Sequence, residues 1–176
     1  VAIVRFGTSL TSYIDGVLDK TVTDTNNYIT TTEVSVGAYQ SVIGVWDFKG
    51  YIDDLRVTKG VARYIKPFTP PLELPTCPPD PTLVLLKGNG SNGSTTITDS
   101  SAAPKTVSVL GNTQISTTQS KFGGSSIKFD GSGDYLILSS SADLSPESSD
   151  FCIEAWVYIT TTPTSYQTIY SASASG

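Results

Sequence analysis

The sequence predicts an all-β chain whose strands stack as two antiparallel sheets in a sandwich. Three observations point there. Only 15% of the 176 residues are charged, and Thr and Ser dominate the polar remainder; Thr suits a pleated, half-buried surface and Ser suits turns. Apolar residues come in runs of strand length, separated by clusters of Gly, Asn, Asp and Ser. The pair Asp15-Gly16 lies between two such runs, a strong two-residue hairpin signal. A chain of this length can form a single domain with one core.

The elements follow in order. Val1 to Phe6 is apolar at both parities, as in a central strand. Gly7-Thr8-Ser9 turns the chain into a strand over 10–14, and after Asp15-Gly16 a return strand covers 17–22. A loop at 24–27 precedes a short strand at 34–37, and a second loop, 38–47, carries Tyr39 and Trp46. The strand from Phe48 to Thr58 is followed by a single turn over 59–64. Seven prolines between 66 and 82 then mark an extended, semi-rigid connector, so that 1–65 and 83–176 form two structured segments. In the second segment, strands are expected at 82–87, 106–110, 127–130, 135–138, 150–159 and 168–172. The strand over 150–159 alternates most clearly: Phe151, Ile153, Ala155, Val157 and Ile159 share one face.

The strand Gly50 to Thr58 carries an internal conflict. Ile52 points to one face, whereas Leu55 and Val57 point to the other, because successive side chains alternate. Either both faces are covered, or an extra residue at Asp53-Asp54 forms a β-bulge that resets the parity. Adjacent acids in an apolar strand also need partners, and Arg56, two residues from Asp54, is the nearest candidate. Asp53 and Arg56 are therefore read as structural.

Composition excludes several functions. The formal charge is −5 and the basic residues are scattered, which argues against nucleic acid or anionic lipid as partner. With no His, an imidazole base, a His-containing triad and a His-ligated zinc site are ruled out. No apolar run approaches the roughly 20 residues of a membrane helix. Cys77 and Cys152 show neither metal nor redox spacing; they read as small apolar side chains, with a bridge between them as the alternative.

Two sets of motifs resemble one known family. Phe48-Lys49-Gly50, Asp53-Asp54-Leu55-Arg56, Thr58 to Tyr64 and Phe68-Thr69-Pro70-Pro71 resemble the end of a laminin-G-like, concanavalin A-like jelly-roll domain of the kind repeated in phage tail and bacterial surface proteins. Asp99-Ser100-Ser101, Lys121 to Ser126, Phe129 to Leu136 and Asp150 to Tyr158 resemble its beginning. The resemblance thus implies a jelly roll with 1–65 as the C-terminal half and 83–176 as the N-terminal half, in reversed order. A circular permutant, a slice across two tandem repeats and an incompletely identified chain all fit, with a few central strands missing between the halves. In the first two cases, unpaired strand edges are templates for another chain.

The family implies an extracellular or virion-surface location and a non-catalytic role. Glycoside hydrolysis needs two carboxylates about 5 to 9 Å apart in a cleft, and no strand here alternates acids on one face. Glycans or cell-surface polysaccharides are instead held by aromatic faces on loops, which singles out Trp46, Tyr39 and Tyr28. The dull reading is that Trp46 folds over the sandwich edge. Calcium is a candidate cofactor at Asp99 and Asp54, against a reading of Asp99 as a turn cap; no other cofactor is expected. Two functions result: a glycan-recognising adhesion module, or a structural repeat that joins neighbouring copies through open edges and complementary half-domains. Asn89-Gly90-Ser91 and Asn92-Gly93-Ser94 match the glycosylation acceptor pattern, which matters only in a eukaryotic secretory setting.

Overall fold

A computed structural model describes residues 1–28, 33–39, 43–70, 81–139 and 144–172. Most of the proline-rich connector and Cys77 lie outside the described residues. Among these residues the strands are β1 (Ala2–Phe6), β2 (Ser9–Ile14), β3 (Val17–Thr23), β4 (Val34–Val36), β5 (Lys49–Lys59), β6 (Thr82–Leu86), β7 (Val107–Leu110), β8 (Gln114–Ser116), β9 (Ser126–Asp130), β10 (Tyr135–Leu138), β11 (Phe151–Ile159) and β12 (Tyr170–Ala172).

They form two antiparallel sheets packed as a sandwich. The larger runs β3-β2-β1-β11-β5-β9-β8, with β6 also paired to β5; the smaller runs β12-β4-β10-β7. Both sheets draw strands from both sides of the connector: β5 pairs with β11, β9 and β6, and β4 pairs with β10 and β12. Strand β8 is the one described element not expected from sequence: Gln114-Ile115-Ser116 has a single apolar residue among polar ones.

The parity conflict in β5 is resolved by a bulge. Opposite β11, Arg56 faces Glu154 and Asp53 faces Trp156, so Asp54 and Leu55 together oppose Ala155. Asp54 takes a left-handed backbone, φ 49°, a conformation that Asp tolerates better than most residues. The extra residue turns Ile52, Leu55 and Val57 onto one face, where all three are buried against Val34, Val36, Phe129 and Leu136. Burying each such side chain contributes about 1.5–3 kcal/mol. The strand is also covered on its outer face, since every residue from Gly50 to Thr58 is buried. Two segments provide that cover. The loop before β9 donates the backbone N–H groups of Lys121 and Phe122 to Asp53 Oδ2, at 2.7 and 2.9 Å. The segment after β5 lays Ala62, Tyr64 and Phe68 over Ala2, Val4, Tyr13 and Cys152.

That outer layer is fastened by charge. Arg56 and Glu154, both buried, pair directly across β5 and β11. Arg56 Nε donates to Glu154 Oε1 at 2.7 Å, and the Tyr64 hydroxyl donates to Oε2 at 2.6 Å. Arg63 Nε lies 3.8 Å from the same carboxylate and donates to Thr58 Oγ1. Burial, then the hydrogen bond to Glu154, pushes the Tyr64 phenol well above its ordinary range. Cys152 is a free thiol beneath this layer; burial, with the Glu154 charge adding to it, pushes it up too.

Candidate functional site

The two sheets differ in width. On one side they end together: Ile115, Ile127 and Phe129 of β8 and β9 are fully covered. On the other side, among the described residues, the small sheet stops at β12, whereas the large sheet continues through β1, β2 and β3. Residues at alternate positions show which face is left open. Ala2 and Val4 pack under the outer layer, so Ile3 and Arg5 face inward beside their partners Ile153 and Phe151. Leu10, opposite Arg5, and Val22, opposite Leu10, continue that face. Ile3 is 38% exposed and Val22 41%.

The result is a groove of about 580 Å³ between β12 and this open face. Its lining includes Ile3, Leu10, Phe151, Ile153, Ala155 and Tyr170, together with all three aromatics singled out from sequence: Tyr28, Tyr39 and Trp46. Tyr28 stands at the Phe151 end, ring edge to face with Phe151 at a centroid distance of 5.9 Å. It is placed there by reciprocal backbone hydrogen bonds with Glu147, at 3.1 and 2.8 Å. Arg5 organises the same end. Buried on the inner face, it donates to the carbonyls of Gly7, Asp24, Asn26 and Glu147, and its guanidinium lies 5.8 Å from the centre of the Tyr28 ring.

Tyr39 and Trp46 form the opposite end, with centroids 5.5 Å apart and planes tilted by 34°. Their loop leaves β4 at Gly37, whose φ of +94° and closeness to Phe129 leave no room for a side chain; a Cβ there would sit 2.4 Å from the ring. Asp47 holds the other end of the loop, accepting from the N–H groups of Gly44 and Gly133 at 2.9 and 2.6 Å. The Trp46 carbonyl accepts from Thr168 N–H at 2.9 Å, which ties the loop to the approach of β12. Trp46 is half-buried against Tyr39.

Two polar groups at this site were not legible beforehand. Gln167 and Tyr170 line the groove, and Gln167 Oε1 and the Tyr170 hydroxyl are buried without hydrogen-bond partners among the described residues. An unsatisfied buried polar group costs about 1–3 kcal/mol. Burial pushes the Tyr170 phenol well up. The sequence carried a strand signal around Tyr170 but nothing to show that the strand would end a sheet.

The remaining candidates lie elsewhere. Asp99 is buried and fully engaged: Oδ1 accepts from the N–H groups of Leu85 and Ser101, both at 2.9 Å, and Oδ2 from Ser101 Oγ at 3.0 Å and Lys105 N–H at 2.8 Å. It clasps the loop after residue 98 to β6, which is what the turn-cap reading describes. Asp54 occupies the bulge. Among the described residues no three acidic or cysteine side chains gather as a metal site. Asp53 and Arg56 stand in the structural arrangements given above.

No family model matches the chain, and neither a curated protein nor a solved structure does. The membership that stands on structure is therefore that of the architecture alone: an all-β chain of two antiparallel open sheets packed as a sandwich.

Proposed function

We propose that this chain is a non-catalytic structural repeat of an extracellular or virion-surface assembly. In this reading it is a laminin-G-like jelly roll in permuted or half-exchanged order, and it joins neighbouring chains through an open strand edge. One observation carries the reading: the small sheet stops at β12 while three strands of the large sheet run on beneath an uncovered, largely apolar groove. An edge of this kind templates pairing with another chain. The other end of the large sheet's open side is guarded in the usual way, since β3 is exposed throughout and carries Asp19 and Lys20. Strand β12, Tyr170-Ser171-Ala172, carries no charge. A non-catalytic role is supported by the lack of His and by the state of the one carboxylate residue at the groove, Glu154, whose oxygens are taken by Arg56 and Tyr64. Sedimentation across a concentration series tests the proposal. Association that grows with concentration supports it, and a monomer throughout, with a glycan bound in the groove, defeats it.

A second reading, glycan recognition, is favoured by the convergence of Tyr28, Tyr39 and Trp46 on the same groove. Half-buried aromatic rings beside amide and hydroxyl groups are the usual furniture of a sugar site. Glycan-array binding that Trp46→Ala abolishes would support it; an array with no hits, or hits indifferent to Trp46, would remove it.

A further inference from the structure

We infer that the groove is the seat of one donated β-strand, an extended arm from another chain that adds to the free edge of β12 and lays apolar side chains at alternate positions onto Ile3, Leu10 and Ile153. The inference deepens the assembly reading and rests on it.

Three features specify the occupant. First, among the described residues β12 is hydrogen-bonded on one side only, to β4. Its other edge runs along the groove, and main-chain groups at a sheet edge select an extended segment over any other shape. Second, the floor continues the packing that holds the sandwich together. Ile153 already abuts the buried core; Ile3 lies directly beside it in the sheet, and Leu10 lies beside Arg5. A strand next to β12 would meet these residues as β12 meets its own floor, so alternate side chains must be apolar. Third, the lining is electrically neutral. Among the described lining residues there is no Lys or Arg, Glu154 turns its carboxylate to the outer face and Arg56, and Arg5, at the Tyr28 end, is already engaged by four backbone carbonyls and Asp24. A charged side chain facing inward would therefore be buried without a counterion.

The same geometry argues against a simple dimer. Ser12 and Lys20 interrupt the inner face opposite Ile3, while Leu10 and Val22 carry it on opposite Arg5. If the β12 strands of two copies paired antiparallel, each copy's large sheet would lie beneath its own β12. It would then occupy the layer already filled by β1 to β3 of the other copy. A lone arm has no such second layer.

The test uses the full chain with an arm fused after Gly176 through a flexible Gly-Ser linker. Three arms are compared: alternating Val and Thr, all Thr, and the Val-Thr arm with Pro at alternate positions. Thr keeps the strand propensity without the apolar face, and Pro removes the ladder. The Val-Thr arm is expected to slow exchange of the β12 amides that do not bond to β4 by about ten-fold or more, and to lower the fluorescence of an added apolar dye. The other two arms should do neither. Ile3→Lys, at a position already 38% exposed, should cancel the effect of the Val-Thr arm with the fold intact by circular dichroism. Equal protection by all three arms, protection by none, or indifference to Ile3→Lys overturns the inference. Sedimentation of the arm-free chain separately decides whether the assembly reading itself survives.

Discussion

The buried ion pair under the outer layer makes a quantitative claim. In Glu154→Gln the volume is kept, but the negative charge is lost, and with it one of the two oxygens that accept from Arg56 and Tyr64. Arg56, 1% exposed, then has its charge stranded beside a neutral amide, and Arg63, 3.8 Å from the same group, loses an attractive neighbour. Removing one member of a buried pair costs about 3–5 kcal/mol, most of it the uncompensated charge that remains. That is a large share of the roughly 5–15 kcal/mol by which a domain is stable. With a urea dependence of about 2 kcal/mol per molar, the unfolding midpoint should fall by roughly 1.5–2.5 M. The double variant Arg56→Met with Glu154→Leu should be less destabilised than Glu154→Gln alone, because the fully buried charge of Arg56 is removed with its partner and only Arg63, more exposed, loses a neighbour. Equilibrium urea unfolding followed by tryptophan fluorescence and far-ultraviolet circular dichroism measures both. A midpoint shift below about 0.5 M for Glu154→Gln, worth only about 1 kcal/mol, would refute the reasoning, as would a double variant that unfolds more easily than the single one.

Three further outcomes follow from the same structure. Asp99→Ala strands the N–H groups of Leu85, Ser101 and Lys105 and should cost about 3 kcal/mol or more; because those bonds already take both carboxylate oxygens, adding calcium or a chelator should leave the wild-type melting temperature unchanged. Burial raises the Asp53 carboxyl above its ordinary 3.8, against the pull of backbone N–H groups. The folded state therefore holds a proton that the unfolded state has released, and stability falls as pH rises from 3.8 through the raised value; this fall should shrink in Asp53→Asn, leaving the similar contribution of Asp134, also raised by burial. In a Cys77→Ser background, the buried Cys152 thiol should resist a thiol reagent in the native state and react at the rate of unfolding; rapid labelling under native conditions would show that the cover of Tyr64 and Phe68 opens freely.

What was legible in the sequence was local. Alternation along Phe151 to Ile159 needs only neighbours two residues apart, and the turn at Asp15-Gly16 needs only its own backbone preferences, so β11 and the β2–β3 hairpin could be read directly. At Asp53-Asp54 the parity of Ile52 against Leu55 exposed a conflict but left its resolution open; pairing with β11 provides the bulge, and two separate segments provide the outer cover. Arg56 illustrates the limit. Its pairing with Glu154, 98 positions away, could not be read along the chain, because antiparallel register sets distances that sequence separation does not.

The sequence by itself determined an all-β chain, the absence of imidazole chemistry and the aromatic loop residues available for contact, since these depend on side-chain identity and short-range periodicity. Only the tertiary structure decided that Tyr28, Tyr39 and Trp46 share one groove, and that β12 ends a sheet above a floor reaching to Ile3 and Leu10. The reason is physical: a strand's hydrogen-bonding capacity on its two edges is the same in every sequence, so whether an edge is filled is a property of the strands beside it and not of its own residues.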